Sequence, residues 1–194
     1  LNDLPAGSIA ASTYGEGKIE MTASCEKLIQ AYYMLGPLGR YTPTEGKSDF
    51  QAYWLGTPAF EPATEMAWTF RSFEFLRQFY KDPVKNSYRV FLRALPGTGG
   101  GTALQNSFML GTAPGNGDPA KPGPRNTLTH EMDHQWIGGL SGTGIGGATW
   151  FAEGLNVYYT RLLLLRSGLV PVDDYLNDLN QTVRDYYANS YRNA

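Results

Sequence analysis

The chain of 194 residues is poor in cysteine, in histidine and in charge. Its single cysteine, Cys25, excludes an intramolecular disulfide and any cysteine-rich zinc site. The expected place of Cys25 is in the interior, as a small hydrophobe. Charged residues make up 18% of the chain, against roughly 25% in ordinary soluble domains. The 16 Lys+Arg and 18 Asp+Glu leave a net charge of −2, so no basic excess exists to displace counterions from a nucleic acid. No apolar run approaches the ~20 residues of a membrane span; Leu162–Leu165 is a run of four. The chain begins at Leu1 rather than Met and carries no signal-like stretch, so it reads as a processed chain or a fragment. Nothing in it reports a compartment.

Glycine (23 residues) and aromatics (13%) are plentiful instead. That suits a loop-rich chain with a large packed surface, part of it facing partner domains. The length favours one domain with a real core.

Along the chain, Lys18–Ala23 alternates weakly, as a strand would. Between Pro62 and Tyr80, Met66, Phe70, Phe73 and Leu76 recur at three- and four-residue spacing, which predicts a helix with a core-facing stripe. Asp82-Pro83 stops it. Tyr88–Leu95 reads as a strand and Ala103–Leu110 as a second, with the glycine cluster Gly97–Gly101 as a flexible turn between them. Residues 111–125 read as a loop. Asn126 or Thr127 caps a helix running to about Ile137. Another runs from about Thr149 to a C-terminal cap at Gly168, and a last one opens at Pro171.

Residues 130–134 are His130-Glu131-Met132-Asp133-His134, an H-E-x-x-H on a predicted helix, and they hold the only two histidines of the chain. Four residues turn a helix by about 400°, so both imidazoles leave one face and can share a tetrahedral metal. Glu131 sits beside that face, placed to take a proton from water without being a ligand. Zinc needs a third protein ligand, and with no other histidine it must be a carboxylate. Glu153 is the candidate: 18 residues separate it from His134, it lies in the next predicted helix, and its neighbours Trp150, Phe151, Ala152 and Leu155 are apolar. Asp133 reads either as a group supporting a ligand or, more simply, as a solvated helix acid. Trp136 reads as a core residue bracing the metal helix.

H-E-x-x-H, 18 residues, then Glu resembles the gluzincin pattern of thermolysin-like peptidases and the large zinc aminopeptidases. His130–Trp136 resembles the H-E-x-x-H-x-W run of those aminopeptidases. Trp150-Phe151-Ala152-Glu153-Gly154 with Tyr158-Tyr159, and the stretch Leu162–Leu169, resemble the glycyl aminopeptidase family. The resemblance covers about residues 100–170. It implies Zn2+ held by His130, His134 and Glu153, with Glu131 as general base. It also implies a substrate strand about 25 residues before His130, at Ala103-Leu104-Gln105-Asn106. Relatives carry a glutamate there that anchors the substrate's free amino group; this chain has Gln105, which keeps the shape and loses the charge. Their oxyanion-stabilising tyrosine lies further downstream than this chain extends.

The expected architecture is α+β: a zincin-like (thermolysin-like) catalytic domain over residues 1–194, part of a longer multidomain chain. The cleft is expected between strand 103–110 and helix 126–137. The expected activity is zinc-dependent peptide hydrolysis, aminopeptidase-like. The alternatives are an endopeptidase of the same fold and a zinc-binding scaffold without turnover. The expected partners are a peptide substrate and other domains of the same chain, with no nucleic acid and no membrane span.

Overall fold

A computed structural model describes residues 5–45, 49–83, 87–97, 99–138 and 149–191. In chain order the elements are β1 (Ile9–Ser12), β2 (Gly15–Glu16), α1 (Cys25–Ile29), β3 (Tyr33–Gly36), β4 (Gly39–Tyr41) and β5 (Phe50–Leu55). They continue with α2 (Pro62–Phe79), β6 (Tyr88–Ala94), β7 (Gly101–Leu104), β8 (Ser107–Thr112), α3 (Arg125–Asp133), α4 (Thr149–Arg166) and α5 (Val172–Ala188).

Two sheets form. A small one has the order β2-β1-β3, and a five-stranded one the order β4-β5-β6-β8-β7. In the larger sheet β5, β6 and β8 run parallel, and the edge strands β4 and β7 run antiparallel to their neighbours. The architecture is therefore mixed α and β. The parallel strands are covered on both faces, which their near-continuous apolar sequences allow. Phe50, Ala52, Val90, Leu92, Phe108 and Leu110 turn toward the helices. The intervening Tyr53 and Phe91 turn the other way, against Ala11 and Met34 of the small sheet. Each such buried aromatic or leucine contributes about 1.5–3 kcal/mol.

Helix α2 forms where the spacing predicts it. Pro62 occupies its first turn, the Glu61 side chain accepts from the Thr64 N–H, and Met66, Phe70, Phe73 and Leu76 are buried in the main core. Leu128 and Met132 of α3 join the same core, so α3 lies between α2 and the sheet edge at β7.

Several expectations need correction. Residues 18–23 form no strand, because the alternation there faces no partner sheet. Cys25 is exposed and opens α1 behind the Ser24 cap rather than filling a core. The strand expected over 103–110 is a hairpin, β7 and β8, turned at Gln105-Asn106 with Asn106 in the left-handed region at φ 57°. Helix α3 ends at Asp133, not Ile137, and His134 closes it in a right-handed helical conformation. The last turn tightens, with the Trp136 and Ile137 N–H groups both donating to the Asp133 carbonyl at 2.9 Å.

Neither Asn126 nor Thr127 caps α3. Pro124 stands at the N-cap without a side-chain bond. A two-armed ion pair anchors this end instead: Arg125 Nε and Nη2 donate to the buried Glu65 carboxylate of α2 at 2.9 and 2.8 Å. The Arg125 guanidinium also lies over the Trp68 ring, 5.1 Å from its centroid.

Helix α4 begins at Thr149 and ends at Arg166, followed by Gly168 at φ 70° as the predicted cap. The glycine-rich connection before it, residues 139–148, lies outside the described residues. Among the described residues no helix is long and apolar enough to cross a membrane.

Candidate metal centre

Helix α3 carries His130, and His134 stands one turn on at its C-cap, with ring centroids 4.8 Å apart. Helix α4 brings Glu153 to them. Its Oε2 lies 3.1 Å from His130 Nε2 and 3.6 Å from His134 Nε2. One donor atom from each residue lies within 4.8 Å of the other two. A tetrahedral site with ligand bonds of about 2.1 Å has donor–donor edges of roughly 3.4 Å, which the separations to Glu153 bracket. Two imidazoles and one carboxylate leave a fourth position open, the donor set of a catalytic zinc. The residues fit the ion.

Two contacts that sequence reasoning missed hold this arrangement. Asn156, one turn beyond Glu153 and fully buried, donates from Nδ2 to the His130 carbonyl at 2.9 Å and accepts from Thr160 Oγ1 at 3.2 Å. The turn of α4 that carries Glu153 is thereby keyed to the residue it must face. The available signal was an asparagine set three positions after a candidate ligand in an apolar helix. His134 Nδ1 lies 3.3 Å from the Ile137 carbonyl; donating there leaves Nε2 toward the cluster. Burial and then the neighbouring His134 lower the His130 pKa against the opposing pull of Glu153, which favours the neutral form that a metal ligand needs.

Glu131 sits beside the cluster and is 7% exposed. Burial, and then the charge of Glu153, push its carboxyl up to about 7, where a general base operates at neutral pH. Its closest wall is the main chain of β7. A Cβ placed on Gly101 would lie 2.4 Å from the Glu131 carboxyl carbon. Gly101 is thus a packing requirement of the site, not part of a flexible turn.

Asp133 is not a solvated acid. It is fully buried, and among the described residues neither of its oxygens has a hydrogen-bond partner. Burial raises its pKa to about 7, opposed by the nearby Tyr80 hydroxyl. A carboxyl raised in the folded state favours folding below its unfolded value, about 3.9, and that contribution is lost as pH rises through about 7. In zinc-free protein, Asp133→Asn is expected to match wild type near pH 4 and to exceed its stability by about 4 kcal/mol at pH 8, roughly three pKa units at about 1.36 kcal/mol each. Urea unfolding at the two pH values checks this; an equal difference at both would refute the assignment.

Trp136 braces this end of α3. It stacks on Tyr80 at 5.1 Å and donates from Nε1 to Asp82 Oδ2 at 2.8 Å. Of the two tyrosines in α4, Tyr159 packs against the main core and Tyr158 is exposed.

A cavity of about 730 Å³ opens over the cluster, between β7, α3 and the first turn of α4, with Gln30 at its rim. Ala103 lines it from β7 and Gln105 from the hairpin turn. Asn106 faces a neighbouring hollow and is occupied by Gln135: its N–H donates to Gln135 Oε1 at 2.9 Å, and its Oδ1 accepts from Gln135 Nε2 at 3.0 Å. The structure therefore brings Ala103 and Gln105 to the cluster and turns Asn106 away.

Residues 143–194 match the M61 glycyl aminopeptidase family. The M61 match contains Glu153 and ends with the chain; His130 and His134 precede it. No curated protein matches the sequence. Among solved structures, an aminopeptidase N family protein from Idiomarina loihiensis aligns over 87% of this chain with a TM-score of 0.71 and 16% identity. An M1 zinc metallopeptidase from Deinococcus radiodurans aligns over 95% with a TM-score of 0.55 and 19% identity. A mutant of the Deinococcus enzyme bound to a Tyr-Ser-Ala substrate aligns at 20% identity and a TM-score of 0.53. At these identities the likeness is one of fold. The chain spans 33% of the Idiomarina structure and 42% of the Deinococcus ones.

Proposed function

We propose that residues 1–194 are the zincin-like catalytic portion of a longer zinc peptidase. The observation that carries this is the cluster itself: His130, His134 and Glu153 converge from two helices, and a buried carboxylate of raised pKa stands beside them without joining them. The likeness in fold to aminopeptidase N and M1 structures, and the M61 match, support the same reading.

The three ligands would hold zinc, which polarises a scissile carbonyl and lowers the pKa of water. Glu131 takes the proton of the attacking water and delivers it to the leaving nitrogen. The β7–β8 register defines how a peptide is held. The Gly111 N–H donates to the Gly100 carbonyl at 2.9 Å, so Gly100, Thr102 and Leu104 turn their main-chain groups toward β8. Gly101 and Ala103 turn theirs outward, toward the cavity. A substrate strand adds there by main-chain hydrogen bonds. Ala103 contributes backbone, Gln105 a side chain, and Asn106 acts through Gln135 by fixing the turn.

The test is metal analysis and assay of one sample. One zinc per chain is expected, with hydrolysis of a peptide library that stops on chelation and returns with stoichiometric zinc. Zinc bound without any turnover would favour a scaffold and sink this reading.

A further inference from the structure

We propose that Tyr32 is a positioning residue for the peptidase site: from the small sheet its hydroxyl holds the Thr102 carbonyl, and so sets where β7 stands beside Glu131 and the peptide. The inference rests on the peptidase reading above and adds a residue to that site.

Strand β7 needs such a hold. It is four residues long and lies at the edge of the larger sheet, paired to β8 on one side and bordered by the cavity on the other. Backbone bonded to one neighbour and open to solvent beyond it is the first to open locally. Yet two things depend on its place. A peptide adds to the outward groups of Gly101 and Ala103. The Glu131 carboxyl packs against Gly101 so closely that no Cβ fits between them.

The small sheet supplies the hold, with one bond to each strand of the hairpin. On β8, the buried Ser107 Oγ lies 2.9 Å from the buried Thr13 Oγ1. On β7, the Tyr32 hydroxyl donates to the Thr102 carbonyl at 2.8 Å. A carbonyl oxygen has two lone pairs, so this bond adds to the pairing of Thr102 with Met109 rather than replacing it. Tyr32 is itself firmly seated. Its N–H donates to Thr13 Oγ1 at 2.9 Å, and its carbonyl accepts from the Thr13 N–H at 3.0 Å. Its ring packs on Phe91, with centroids 5.8 Å apart. Thr102 stands between Gly101 and Ala103, the two residues that face the site. Tyr32 does not line the cavity, so its effect on the reaction passes through β7.

The experiment compares Tyr32→Phe with Tyr33→Phe. The first keeps the ring on Phe91 and removes only the bond to β7. The second is the control: it removes a bond of the same kind from the same sheet, the one from the Tyr33 hydroxyl to the Leu28 carbonyl at 2.9 Å. In zinc-loaded Tyr32→Phe, amide hydrogen exchange over residues 101–104 is expected to quicken about fivefold, the worth of one ordinary hydrogen bond. KM for a peptide substrate should rise by a similar factor, with zinc content unchanged. A loss of stability alone would not do this, because a smaller folded fraction lowers the apparent kcat and leaves KM where it was. Tyr33→Phe should change neither quantity. A Tyr32→Phe protein with the wild-type KM overturns the proposal. So does one whose β7 exchanges as in wild type, or an equal change in Tyr33→Phe. If wild type cleaves no peptide, the peptidase reading fails, and the exchange comparison alone decides whether Tyr32 holds β7.

Discussion

Glu131→Gln is expected to lower kcat/KM on a peptide substrate by about a thousandfold while the protein keeps its zinc. General acid–base catalysis contributes roughly 10²- to 10⁴-fold, and the amide can neither take a proton from water nor return it. Shape and volume hardly change, so the contact with β7 at Gly101 survives. Zinc should stay, because the three mutually close donor atoms belong to His130, His134 and Glu153. The pH–rate profile adds a second check. Burial and Glu153 hold Glu131 at about 7 in the absence of a cation. A dication beside it favours the carboxylate, so the acid limb of the wild-type profile should lie below pH 7 and should vanish in the variant. A Glu131→Gln protein that binds zinc and cleaves at the wild-type rate would assign the base elsewhere.

The residues proposed to carry this chemistry were legible in the sequence for a physical reason. A helix repeats every 3.6 residues, so two histidines four apart share a face whatever else the fold does. The scarcity of histidine made Glu153 the natural third donor, and the structure places it 3.1 Å from His130. Helix α2 was legible for the same reason: its apolar stripe has one period over eighteen residues.

What stayed hidden depends on contacts distant in sequence. The hairpin at Gln105-Asn106 has no glycine to announce it; Asn106 alone takes the left-handed conformation, and the turn is only two residues long between two apolar stretches. Asp133 reads as solvated because an acid on a short helix ordinarily is. Here Tyr80 and Trp136 close over that side of α3, and neither burial nor neighbour shows in local spacing. The small sheet β1–β3 is built of strands of two to four residues, too short for a period to declare itself. Its purpose is visible only when Ala11 and Met34 are seen covering Phe91.

Gly101 is the most consequential of these hidden residues, and it yields the second large effect. Gly101→Ala is expected to lower kcat by about a hundredfold with little change in zinc content or in unfolding midpoint. The added methyl would lie 2.4 Å from both Oε1 and the carboxyl carbon of Glu131 and 2.5 Å from its Cγ. No real Cβ tolerates such distances, so something must move. The Gly101 backbone is held by the register with Leu110, whereas the Glu131 side chain is flexible and is bordered on its other side by the open cavity. The carboxylate therefore yields, by about an ångström, and a displacement of that size at a reacting group costs roughly a hundredfold. The strand itself is not strained, because Gly101 is absent from the positive-φ residues and alanine adopts its conformation freely. The three donor atoms are not touched. The diagnostic is the combination: kcat falls, zinc stays at one per chain, and the protein melts as wild type does. If kcat falls only in step with a loss of zinc or of stability, Gly101 supports the fold rather than the position of the base.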